Sequence, residues 1–400
     1  MSAPSSTATD APRSAPRARR APPPRFIRNI LILLAVLHGY VALRLLPALP
    51  VGRGVKFAGV LALGASFALI IAGARARRRP PSRLKEVLVW AGSLTGGLFS
   101  SLAVLTLARD ALLLAARLLG LAPRYAQLAA DSAVTVPVLA ALASLVGFIA
   151  ARRRPRVVEV DVPLPSLAPA LAGFTIAQIS DVHVGTTIRR EFLSGVVKTV
   201  NALGADLIAI TGDLVDGSVE ELAAQVAPLA ELTARHGVFF VTGNHEYYSG
   251  APAWIQELRR LGIRVLRNEH VVLGHRGTSL LLAGVTDFSA HHFDPAERSD
   301  PRAALAGAPE HVRPRVLLAH QPRTAPEAAA AGFDLQLSGH THGGQFWPWN
   351  LLVGLQQPFP AGLDRLSDLL IYTSRGTGYW GPPKRLGVPS EITRLRLVAA

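Results

Sequence analysis

Residues 333–344 read Phe-Asp-Leu-Gln-Leu-Ser-Gly-His-Thr-His-Gly-Gly. The apolar run over 333–337 predicts a short strand, and Gly343 and Gly344 end it. Alternation at a strand end sends His340 and His342 to the same side. Two imidazoles at the carboxyl end of a strand, on a turn loosened by glycine, are how a fold offers nitrogen ligands to a metal ion. Paired surface histidines also occur without any metal, so the upstream sequence has to decide. There the chain carries Asp181-Val182-His183, Gly212-Asp213, Gly243-Asn244-His245-Glu246 and a lone His320, most of them closing an apolar run.

The two halves of the 400-residue chain differ in kind. Residues 1–156 hold 22 Lys and Arg against 4 Asp and Glu, and residues 157–400 hold 20 against 23. The net +15 therefore flanks apolar segments of the first half, which is no signature of nucleic-acid binding. There is no cysteine, so disulfides, zinc–thiolate sites and thiol catalysis are excluded.

Residues 1–25, rich in Ala, Pro, Ser and Arg, read as a disordered basic tail. Arg19-Arg20 suggests twin-arginine export, but Pro22-Pro23-Pro24 follows it and no small-residue cleavage site ends the next apolar run. Four apolar runs, 26–49, 57–73, 87–108 and 133–150, come close to the ~20 residues that a helix needs to cross a bilayer. Together they predict a transmembrane region over 26–150. Six arginines precede residue 29, Arg75, Arg77, Arg78, Arg79, Arg83 and Lys85 lie between the second and third runs, and Arg152, Arg153, Arg154 and Arg156 follow the fourth. The alternate loops are poorer in charge. This bias predicts a multi-pass protein of the cell (inner) membrane with tail, middle loop and C-terminal domain in the cytoplasm. The stretch 111–121, too short to span, is expected along the interface.

Beyond Pro155 apolar runs alternate with helical patterns: strands near 157–162, 174–179, 207–210, 238–241, 263–266, 280–284, 316–319, 335–337, 369–373 and 395–398, helices near 190–203, 218–233 and 254–261. Polar groups close the strands. This predicts a layered α/β domain over 157–400 with its site along one sheet edge.

The clustered motifs offer two carboxylates, one amide oxygen and four imidazoles, with His245 besides. An O/N donor set without sulfur suits Mn, Fe or Zn, and seven ligands are too many for one ion. Two divalent metal ions about 3.5–4 Å apart can grip the attacking and leaving oxygens of a phosphate displacement.

On these motifs, residues 170–398 resemble the calcineurin-like metallophosphoesterase superfamily in its membrane-attached bacterial branch. The resemblance implies a four-layered α/β/β/α sandwich. It assigns Asp181, His183, Asp213 and His342 to a first metal and Asp213, Asn244, His320 and His340 to a second. His245 then steadies the phosphoryl oxygens or protonates the leaving group, and a metal-bridging hydroxide attacks phosphorus. Many relatives carry Asp where this chain has Glu246, which leaves open whether Glu246 orients His245 or faces water. Asp216 reads as a turn residue. Arg375 and the aromatic run with Trp347 and Trp349 are the candidate substrate contacts, the latter for the membrane surface or a lipid-linked phosphoester. The expected activity is hydrolysis of a phosphomonoester or phosphodiester; the competing reading is a catalytically silent binding or regulatory module on the same fold.

Overall fold

The computed structural model describes residues 24–120, 124–165 and 167–400. Residues 1–23, nearly all of the basic tail, lie outside them. Four long helices come first: α1 (Pro24–Leu45), α2 (Arg53–Ala76), α3 (Arg83–Leu118) and α4 (Tyr125–Arg152). Each is long and apolar enough to cross a membrane. α2, α3 and α4 outrun their apolar stretches and carry charged or polar residues at their ends, whereas α1 stops at Leu45, before its stretch does. In α3, Ser82 caps the start by accepting from the Lys85 amide at 3.1 Å, with Glu86 in the first turn.

α2 and α3 meet backbone to backbone. A Cβ on Gly73 would lie 2.7 Å from the Leu88 carbonyl oxygen and 2.9 Å from Gly92 Cα, so only glycine permits this crossing. The interfacial segment expected from residue 111 does not form. The backbone stays helical through Leu118, since neither glycine nor proline interrupts residues 98–119, and it stops at Gly120 with φ +75°.

The rest of the chain forms two six-stranded sheets. Its elements are β1 (Arg156–Leu164), β2 (Thr175–Ile179), α5 (Arg190–Ala202), β3 (Leu207–Ile210), α6 (Val219–Val226), β4 (Val238–Phe240), α7 (Asn244–Ser249), α8 (Ala251–Arg260) and β5 (Arg264–Val265). There follow β6 (Glu269–His275), β7 (Thr278–Gly284), α9 (Pro301–Ala304), β8 (Arg315–Leu318), α10 (Ala325–Ala331), β9 (Leu335–Ser338), α11 (Trp349–Leu352), β10 (Gly362–Leu366), β11 (Leu369–Thr373) and β12 (Glu391–Ala399). One sheet runs β1-β12-β2-β3-β4-β5 and the other β10-β11-β9-β8-β7-β6.

Strand alternation builds the layers. Leu207, Ala209, Phe239 and Val241 face Leu280, Leu282, Val316, Leu318, Leu335 and Leu337 across the space between the sheets. Ile208, Ile210 and Phe240, one residue out of phase, lie in the core under α5 and α8 with Val196, Trp254 and Leu258. Leu281, Ala283 and Leu317 pack beneath α9 and α10. The result is helix, sheet, sheet, helix, the expected four layers. Each fully buried Leu, Ile or Phe contributes roughly 1.5–3 kcal/mol.

Two strands, β6 and β10, were not apparent from the sequence. Both are antiparallel edge strands whose burial is patchy, so no apolar run marks them. The helix expected over 218–233 ends at Val226 and passes into a 3-10 turn at Ala227–Glu231, where Pro228 withholds an amide donor.

Candidate metal centre

Parallel strands bring the motifs together. β2, β3 and β4 run parallel in one sheet, β8, β9 and β11 in the other, and the loops leaving them carry the candidate residues. Asp181 and His183 follow β2, Asp213 follows β3, Asn244 and His245 open α7 after β4, His320 follows β8, and His340 and His342 follow β9. Five of these have left-handed backbones: Asp181 (φ 53°), His183 (54°), Asp213 (51°), His340 (72°) and His342 (50°). Non-glycine residues seldom adopt that region, and such strain persists where surroundings over-determine it. Here cross-strand bonds do so. Asp181 N donates to the Gly212 carbonyl (3.0 Å), His183 N to the Asp213 carbonyl (3.1 Å), and His340 N to both oxygens of the Asp181 carboxylate (3.0 Å). Gly243 and Gly339 stand where a Cβ would overlap Asp213 and Asp181.

The imidazoles are oriented from behind. A carbonyl or carboxylate oxygen only accepts, so His320 donates from Nδ1 to the Thr211 carbonyl (2.7 Å) and turns Nε2 into the site. Asp216 accepts from Nδ1 of both His183 (3.1 Å) and His245 (2.6 Å), aiming their Nε2 atoms inward as well. Inside, His183 Nε2 lies 3.1 Å from His342 Nε2, which is 3.5 Å from Asp181 Oδ1. His320 Nε2 lies 3.2 Å from both His340 Nδ1 and Asp213 Oδ2. Asp213 Oδ2 is also 3.9 Å from His183 Nε2 and from His245 Nε2. Asp213 thus belongs to two groups of converging donors, one with His183 and His245 and one with His320 and His340, and His183 links it to a third, Asp181–His183–His342; each lies within 4.8 Å internally.

These residues fit divalent cations. With Nδ1 holding the hydrogen, His320 faces a carboxylate with a bare lone pair, a repulsive arrangement unless positive charge lies between them. Burial alone would lower the pKa of His320, yet Asp213 and Asp181 drive it well above the ordinary imidazole value, so the carboxylates favour positive charge at this nitrogen, a proton or a metal ion alike. His340, buried beside His320, is pushed down to about 3, and burial and His183 depress His342 likewise. Both are neutral donors at pH 7. Asn244 Oδ1 is buried and has no hydrogen-bond partner, an orphan oxygen suited to a metal.

His245 converges on the same carboxylate as the donors but is also held from behind by Asp216. Burial opposes its charge, but Asp213 and Asp216 raise it to about 9. Its ring meets those of Tyr248 (5.2 Å) and Trp380 (5.6 Å) edge-on. The sequence placed Asp216 in a turn; the structure makes it the carboxylate that holds His245. Glu246 neither touches His245 nor faces water. Fully buried, it accepts from the backbone amides of Gly243 (2.7 Å), Leu214 (2.8 Å) and Asp213 (3.0 Å), tying two ligand-bearing loops together.

The Arg375 guanidinium pairs with Glu391 at 3.1 Å. Trp347 and Trp349 are each 43% exposed, and Trp349 Nε1 turns to α3, donating to Ser100 Oγ at 2.9 Å. Sequence reasoning missed Arg385, which is buried and donates to the carbonyls of His342 (3.1 Å) and Arg375 (2.8 Å). No metal-ligand spacing flags such a residue.

The family model for calcineurin-like phosphoesterase matches residues 174–344. The chain is 40% identical over 299 residues to the transmembrane protein with metallophosphoesterase domain of Bos taurus, covering 72% of this chain and 66% of that protein. A metallophosphoesterase of Helicobacter pylori is 40% identical over 257 residues, 63% of this chain and 66% of its own length. The chain thus spans 66% of the length of each of these relatives. One from Aquifex aeolicus is 35% identical over 219 residues, with 54% of this chain matching 82% of it. With four apolar helices ahead of the matched region, this is a membrane protein. Its motifs, sheets and relatives agree: the chain belongs to the calcineurin-like metallophosphoesterase family.

Proposed function

We propose that this chain is a membrane-anchored, metal-dependent phosphoesterase, with residues 26–150 forming the membrane region and 157–400 a hydrolytic domain on the cytoplasmic side. The observation that carries the reading is the meeting of two donor groups at the buried Asp213 carboxylate. Asp181, His183, Asp213 and His342 would hold one divalent cation and Asp213, Asn244, His320 and His340 a second. The mixed oxygen and nitrogen donors suit Mn, Fe or Zn. When bound, the two cations supply positive charge for the phosphate oxygens and an acidified water.

The protein's own groups do the rest. Asp216 and Thr211 fix the imidazole tautomers before substrate arrives. His245, charged at neutral pH and held by Asp216, presents Nε2 to the pocket and can give its proton to the departing ester oxygen. Tyr248 and Trp380 flank that ring and limit water around it. Arg385 holds the loop of His342 from beneath.

The test uses the full chain in detergent, with p-nitrophenyl phosphate and bis(p-nitrophenyl) phosphate as substrates. Turnover of at least one, abolished by a chelator and restored by Mn, Fe or Zn, is expected. Turnover that survives chelation, or none with any of the metals, would defeat the reading.

A further inference from the structure

The wall of the metal site that faces the helices combines basic and apolar surface. Arg77, at the C-terminal end of α2, reaches from the membrane region to within 3.8 Å of Asp216, the carboxylate that holds His245, and donates to Ser93 Oγ on α3 at 3.0 Å. Arg75, Arg78, Arg79 and Arg83 lie within six residues of it along the chain.

The apolar part is the loop after His342. Leu351 is 67% exposed and Leu355 83%, beside Trp347 and Trp349. Among the described residues nothing covers Leu351 or Leu355. The loop is fastened to the spans: Trp349 bonds to Ser100, and the buried Lys384 of a neighbouring loop enters between α3 and α4, donating to the Gly97 carbonyl (3.1 Å), Ser101 Oγ and Ser144 Oγ (3.1 Å). Ser100 stands 17 residues into α3, about 25 Å along its axis from Arg83 at ~1.5 Å per residue. It therefore falls inside the apolar run 87–108, and the exposed Leu94 and Leu98 of the same helix lie just before it. The leucines and tryptophans of the loop thus continue the apolar belt of the spans to the edge of the metal site. Tryptophan favours such a boundary, where one end is apolar and the other wet.

We propose that the site acts on phosphoesters carried by lipids of the bilayer, with the hydrocarbon chains lying on the 347–355 loop and the anionic head meeting Arg77. This rests on the phosphoesterase reading and narrows it to amphiphilic substrates. In the reaction, water supplies the oxygen that bonds to phosphorus, the ester P–O bond breaks, and the departing oxygen keeps the electron pair and gains a proton. A soluble phosphoester would leave the apolar wall unused.

The test compares two chromogenic diesters with one leaving group, ethyl and hexadecyl p-nitrophenyl phosphate, on the full chain in phosphatidylcholine vesicles. The expected kcat/KM favours the hexadecyl ester by about tenfold or more, as burial of a long alkyl chain requires. In Leu351→Ser with Leu355→Ser the ratio should fall toward one, the ethyl ester serving as the control for folding. Bromine-labelled phosphatidylcholine should quench tryptophan emission of the wild type, and less in Trp347→Phe with Trp349→Phe. Equal rates on both esters, or a ratio that the leucine changes leave untouched, overturns the proposal even where quenching places the loop in lipid. Hydrolysis of neither ester overturns this proposal, and the phosphoesterase reading falls with it only where p-nitrophenyl phosphate is left untouched as well.

Discussion

Replacing Glu246 separates the bracing role that its backbone bonds give it from the orienting role that the sequence left open. Its carboxylate accepts from three backbone amides, those of Gly243, Leu214 and Asp213, at 2.7–3.0 Å in a fully buried setting. Glu246→Ala strands all three donors. At about 1–3 kcal/mol for each buried unsatisfied group the gross loss is about 3–9 kcal/mol. That is comparable to the whole stability of a domain, about 5–15 kcal/mol. Glu246→Gln keeps one accepting oxygen, and the least costly placement of its NH2 opposes the Leu214 amide alone. It should then cost about 1–3 kcal/mol, or roughly 2–12 °C in Tm at about 2–4 °C per kcal/mol for a domain of this size. The assay is thermal unfolding in detergent, with pH–rate profiles measured alongside. An orienting role for His245 would instead move the rate profile and leave Tm alone. A Glu246→Ala protein that melts with the wild type would refute the bracing role.

Other expectations follow from the same geometry. His245→Ala should keep both ions and lower kcat by roughly 10²–10⁴, the usual worth of a positioned acid, with metal content measured on the same sample; loss of metal would make it a ligand. Asp213 and Asp216 both raise His245; Asp216→Asn removes one of them, so the alkaline limb of the rate profile, where the imidazolium loses its proton, should move to lower pH. An unmoved limb would detach Asp216 from His245. Because wild type has no cysteine, single cysteines at the exposed Ala306 and Ala126 should label from opposite faces of intact cells. Labelling of Ala306→Cys from outside would reverse the orientation.

The candidate site was legible in sequence because its chemistry is local. His340 and His342 sit two residues apart at a strand end, and each remaining donor follows its own apolar run. What spacing could not reveal are contacts made across the fold. Asp216 looked like a turn residue because its partners, His183 and His245, come from other loops. Arg385 lies 43 residues from the His342 carbonyl it holds. Arg375 looked available for phosphate until Glu391, 16 residues on, claimed its guanidinium. The four layers followed from the resemblance, and β3, β4 and β7 were legible as apolar runs because both their faces are buried, whereas β6 and β10, wetted at the edges, carry no such run.

The central claim is that Asp213 is shared by two metals. Its most direct test is bound metal per chain, by elemental analysis of wild type and Asp213→Asn prepared side by side. The account predicts two divalent ions in the wild type, and in the variant the loss of at least one ion and of nearly all turnover while the domain stays folded. Two ions retained in Asp213→Asn at near-normal rates would contradict it.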